Sequence, residues 1–192
     1  MLKRMTCRLL KNIKHTCEYD AGGITSIYLL DIRDFVSYTF REDKLYTEGY
    51  VESIRAAATY REISTVDESN FTETQENGIF KQELTTFVRS LDAEKLSGLL
   101  VAANNKYLVT FRTSQGRAFS FGSDSGASLS FSQTTGQMGA VSGYAITFSK
   151  KSIYPLFEVS VDAYKNKPIW ILEKGIWSDK GVWLRDGIWK TV

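Results

Sequence analysis

The chain has 192 residues, of which 43% are hydrophobic and 24% charged, and its formal net charge is +2. That composition excludes a disordered chain and fits one folded domain with an appendage and a sizeable core. It gives no charge-based case for a stable nucleic-acid partner, and no apolar run approaches the roughly 20 residues of a membrane-spanning helix.

Residues 1–23 read as a polar N-terminal arm. Its basic residues, Lys3, Arg4, Arg8, Lys11 and Lys14, are expected to be solvated. Charges stand where a signal peptide needs an apolar stretch, so the chain reads as made in a cytoplasm. The two cysteines, Cys7 and Cys17, are too few for a disulfide framework and read as reduced thiols. The arm ends in the turn signal Asp20-Ala21-Gly22-Gly23.

A body over 24–165 follows, read as an antiparallel β-sandwich or half-barrel with one packed helix. Ile24 to Asp31 reads as a strand, and 32–49 as a mixed loop or hairpin. β-branched and aromatic residues place another strand within 50–66. Asn77-Gly78 marks a tight hairpin between strand-like "FTETQE" and "IFKQELTTFV". Leu96, Leu99, Leu100 and Ala103 form a helical stripe, predicting a helix near 92–103. Ser90 or Asp92 would cap it, and Asn104-Asn105 would end it. Strands return over 107–113, 117–121, 127–133 and 144–148. A last strand, 153–161, is interrupted by Pro155, which favours an edge or a bulge. Thr134 to Gly143, rich in Gly, Gln, Ser and Thr, reads as a loop.

No constellation supports catalysis, so the chain is read as a non-enzyme with no cofactor and no metal. His15 lies between Cys7 and Cys17, but the spacing is not that of a zinc module. Gly122-Ser123-Asp124-Ser125-Gly126 superficially resembles a nucleophile elbow. Asp124 occupies the position that needs serine, so a turn is the better reading.

The final segment, 166–192, holds all four tryptophans. Gly175-Ile176-Trp177, Gly181-Val182-Trp183 and Gly187-Ile188-Trp189 recur every six residues, after Pro168-Ile169-Trp170. In one extended chain an even period aligns Trp177, Trp183 and Trp189 on one side, with Ile176, Val182 and Ile188 facing the other way. A helix would scatter them, since six residues turn it by about 600°. The first reading is an extended arm, or a pair of short strands, added to a neighbour's sheet edge. The others are a hairpin folded back on the chain's own sandwich and an aromatic platform for sugars. Trp170, Trp177, Trp183 and Trp189 are the candidate interface anchors. Gln137 and Met138, in the loop, are candidates to reach an adjacent subunit or ring.

The stretch "YLVTFRTSQGRAFSFGSDSGASLSFSQTTGQMGAVSGYAITFSKKSIYPLFEV" resembles virion proteins of tailed phages and prophages of the Bacteroides group, including the crAss-like phages. The matching residues are Tyr107 to Phe111, Gly116 to Gly122, Gln133 to Gly143 and Tyr154 to Val159. The closing Gly-hydrophobic-Trp repeats are similar to tails of such proteins. The resemblance covers about 50 residues plus the tail.

It implies a tail-tube-like fold, a β-sandwich or half-barrel with a flanking helix. It also implies a ring-forming subunit of the tail tube or head–tail neck, located in the virion. Its partners would be itself in a six- or twelve-fold ring, adjacent portal, neck or tail proteins, and phage DNA in passage. No membrane is involved. The alternatives are a carbohydrate-binding receptor module at a tail tip and a head–tail adaptor without the tube fold.

Overall fold

The computed structural model describes residues 22–41, 49–64, 69–135, 137–138 and 141–164, with the backbone of 171–173, 176–178, 182–183 and 189–190. The strands in chain order begin with β1 (Ile24–Asp31), β2 (Phe35–Phe40), β3 (Tyr50–Ala56), β4 (Arg61–Ser64), β5 (Asn70–Glu76) and β6 (Ile79–Arg89). The helix α1 (Ala93–Ala102) leads to β7 (Lys106–Thr113), β8 (Ala118–Phe121), β9 (Ala127–Thr134), β10 (Gly143–Ser152) and β11 (Phe157–Val159). β12 (Ile171–Glu173), β13 (Ile176–Ser178), β14 (Val182–Trp183) and β15 (Trp189–Lys190) lie in the tail. Among the described residues the fold is mainly β with one α-helix, as expected from sequence.

Strands β1 to β11 form one sheet that branches at β7. One edge of β7 pairs with β1, which also carries β4. The other edge is shared, Val109–Arg112 with β8 and Lys106–Tyr107 with β9. One wing runs β8-β11-β3-β2 and the other β9-β10-β6-β5. The wings fold over each other, because Phe71 on β5 stacks on Phe111 of β7 at 5.0 Å and on Phe121 of β8 at 5.4 Å.

Alternation along the central strands builds two cores. Ile27, Leu29, Val109, Phe111 and Phe121 meet Leu84, Leu129, Ile146 and Phe148 of the second wing. Their sequence neighbours Leu30, Leu108 and Ala118 turn the other way, onto Val51, Phe157, Val159, Tyr60 and Tyr164. β1, β7 and β8 are therefore buried on both faces.

Three expectations need correction, and one open choice is decided. The sheet is not wholly antiparallel, since β11 pairs with β3 in parallel. Residues 35–40 form a strand, and the hairpin option for 32–49 is the one realised, with β2 antiparallel to β3. The strand expected over 153–161 is only Phe157–Val159, while β10 runs on to Ser152. Pro155 lacks the N–H a ladder needs, so pairing stops and restarts beyond it. In the helix, Leu96, Leu99 and Ala102 pack on the first core, whereas Leu100 is 54% exposed.

The helix is tied to the sheet at both ends. Tyr144 Oη donates to the Asp92 carbonyl at 3.0 Å and Tyr107 Oη donates to the Ala102 carbonyl at 3.1 Å. The Asp92 carboxylate accepts from the Lys95 N–H at 2.7 Å, an N-cap that satisfies one orphan donor. Asn104 and Asn105 side chains donate to the Leu100 and Val101 carbonyls at the other end. Hydrogen bonding from Lys95 holds the Asp92 carboxyl below its ordinary pKa. Its stabilising contribution is thus present above the unfolded-state value and is lost as pH falls through the folded-state value. Thermal melts across the acidic range should show Asp92→Asn flattening this acid dependence, since asparagine caps without titrating.

Gly122-Ser123-Asp124-Ser125-Gly126 is the turn from β8 to β9, closed by the Gly126 N–H donating to the Gly122 carbonyl at 2.8 Å. Gly122 has a φ of +90°, and a Cβ there would lie 2.8 Å from the Tyr107 carbonyl oxygen. Glycine is needed because the chain must cross β7 tightly as it changes wings.

Candidate assembly surfaces

The tail is not one uninterrupted extended arm. β12 pairs antiparallel with β13, setting Leu172 opposite Trp177, and β14 pairs with β15, setting Trp183 opposite Trp189. Ile176 lies in β13 and Val182 in β14. The even-period argument holds for a single strand, so across these separate strands it does not fix which tryptophans share a side. Trp170 and Ile188 lie outside the described residues, as do Cys7, His15 and Cys17. Gln137 and Met138 fall between β9 and β10, and both are exposed, Met138 completely. The expected loop is shorter than 134–143, because Thr134 and Gly143 are themselves paired.

Two further surfaces emerge only in three dimensions. The first is the outer face of the β5-β6-β10-β9 wing. The ladder registers place side chains there in cross-strand rows. One row is Asn70, Thr85, Thr147 and Ser130. The next is Thr72, Glu83, Ser149, Ser128 and Lys106. A third is Thr74, Lys81 and Lys151. The second and third rows line an open groove of about 780 Å³. Thr72, Thr74, Ser128 and Ser149 share it with Glu83 and four lysines, Lys81, Lys106, Lys150 and Lys151, of which Lys81 pairs with Glu76 and Lys150 with Asp124. Such a lining mixes short hydroxyls with an excess of positive charge.

The second is an aromatic recess of about 220 Å³ beside the edge strand β2. Phe35, Tyr38 and Phe40 come from β2, Tyr154 from the segment leading into β11 and Phe157 from β11 itself. The rings meet edge to face, with Phe40 and Phe157 centroids 5.3 Å apart and Tyr38 and Phe157 5.9 Å apart. Strict alternation would not put residues 35, 38 and 40 on one side. The register of β2 against β3 shifts twice, between Phe35 and Ser37 and between Thr39 and Phe40, and the bulges re-aim the rings.

Buried polar groups fix the opposite wall. Gln82 donates to the Tyr154 carbonyl at 3.2 Å and to Glu73 Oε2 at 2.7 Å. The same Glu73 oxygen accepts from the Leu156 N–H at 2.8 Å. Ser152 Oγ accepts from the Tyr154 N–H at 2.9 Å. At the floor, Tyr38 Oη and Ser120 Oγ share a hydrogen bond of 2.8 Å, and burial pushes the Tyr38 phenol well above its ordinary pKa. The tyrosine is therefore neutral throughout the physiological range, an amphipathic wall with an apolar ring and a polar tip.

No protein-family model matches the chain, and no curated protein or solved structure matches it either. The likeness to phage virion proteins rests on the residues quoted for it. Among the described residues, no helix is long and apolar enough to cross a membrane. Among the same residues, no group of three or more His, Cys, Asp or Glu could hold a metal ion.

The aromatic recess was missed from sequence because its rings come from a bulged strand and a Pro-interrupted connection. The only local signal was the density of aromatics in "FVSYTF" and "YPLF". The outer rows were half legible. Alternating Ser and Thr was visible, but the order of the strands that align them was not.

Proposed function

We propose that the chain is a structural subunit of a tailed-phage particle, assembling into a ring of the tail tube or the head–tail neck. The observation that carries this reading is the open sheet: among the described residues β2 and β5 end its path and β4 pairs with β1 alone, leaving strand edges that neighbouring copies can extend. The resemblance over 107–159 and the tryptophan-rich tail support the same conclusion.

In this reading the body supplies the wall and the tail supplies adhesion. Ring closure would cover these edges with neighbouring strands. The virion would be the location and a copy of itself the first partner. Adjacent portal, neck or tail proteins would stack above and below. Negative-stain images of the purified full chain are expected to show closed rings with an open centre. A field of isolated compact particles would count against the proposal.

A further inference from the structure

We infer that the aromatic recess beside β2 is the receptor for an indole from the Gly-Ile/Val-Trp repeat of a second copy of this chain. The inference rests on the ring-forming reading and names the surface through which the ring would close.

Size comes first. The recess, about 220 Å³, is below the ≈300–1,000 Å³ of small-molecule sites and on the scale of one large aromatic side chain. Chemistry comes next. Phe35, Phe40 and Phe157 present ring faces and edges, which favour another aromatic by stacking or edge-to-face contact. Ser37 and Ser123 also line the recess. Their hydroxyl oxygens are acceptors of the kind an indole N–H needs when it leaves water.

Position is the third point. β2 ends the sheet path among the described residues, so an incoming extended segment has a strand edge beside the recess on which to lie. Investment is the fourth. Tyr154 is 39% exposed, yet its backbone is held by buried Gln82 and Ser152, and Glu73 fixes Leu156 two residues on. A half-exposed ring on a wall fixed this firmly is preorganised for contact.

The occupant follows from the sequence. All four tryptophans lie in 170–189, a segment that follows Tyr164, itself buried against Tyr28 and Tyr60. The repeat offers the same Gly-hydrophobic-Trp unit three times, so a ring can be closed by whichever copy of the unit reaches the neighbour.

The tryptophan placement also supplies the probe. Tryptophan-selective fluorescence of the full chain reports on the tail alone. On raising the protein concentration, emission should shift to the blue and acrylamide quenching should fall, in step with assembly. Ser37→Arg, which plugs the recess, and Tyr154→Ala, which removes a wall, both lie outside the two cores. Each should keep the parent melting curve and lose the blue shift together with assembly. A chain in which both variants still assemble with unchanged emission overturns the recess as receptor and leaves the ring reading standing. Blue, quench-protected emission from a chain that stays monomeric at every concentration overturns the second-copy occupant and the ring reading together. Should one variant melt early, the other and the concentration series of the parent chain still decide the matter.

Discussion

Phe148→Ala is expected to destabilise the fold by about 3–5 kcal/mol, the largest single-residue cost in the body. Phe148 is fully buried on β10. Its register partners are Leu84 on β6 and Leu129 on β9, so its ring sits between two buried leucines and faces the β1-β7-β8 layer. Truncation leaves a cavity at the junction of the wings, where neither layer can collapse without breaking its ladder. For a chain of this size each kcal/mol lowers Tm by about 2–4 °C, which a thermal melt resolves easily. Ser149→Ala is the matched control. It faces outward on the same strand and should stay within about 0.5 kcal/mol of the parent. Equal effects at 148 and 149 would mean that the two-layer packing is wrong.

Deleting residues 169–192 is expected to have the largest effect on assembly and a small one on folding. Among the described residues, every buried one lies between Ser26 and Tyr164, so the deletion removes none of them. What disappears is the set of four tryptophans, the residue type most often dominant at interface hot spots. Circular dichroism should report an unchanged β spectrum and light scattering a monomer. Rings formed normally by the shortened chain would show that the tail does not drive assembly. An unfolded product would show instead that the tail completes its own sheet.

The same physical reasons decide what was legible in the sequence. Where a strand has one buried face, alternation announces it, as in the Leu84, Thr86 and Leu129 positions of β6 and β9. Asn77-Gly78 announced its hairpin because both residues need positive φ, and they have it, at 52° and 80°. The helix was placed within a residue by its cap and its stripe. Three features had no local code. The bulges of β2 break alternation. The parallel pairing of β11 with β3 joins Glu158 to Tyr50 across more than half the chain. The branching of the sheet at β7 depends on which half of one strand edge each partner takes. The candidate surfaces depend on those three features. The tail could be singled out by composition alone, whereas the recess and the hydroxyl rows required the assembled sheet.

In the proposed assembly, copies of this chain close into a ring. The most direct measurement is the mass distribution of the purified full-length protein in solution, at the chain mass of 21.7 kDa. The ring reading predicts one dominant species at six or twelve times that mass, present without DNA or other proteins. A single species at the mass of one chain, unchanged as concentration rises, would contradict it.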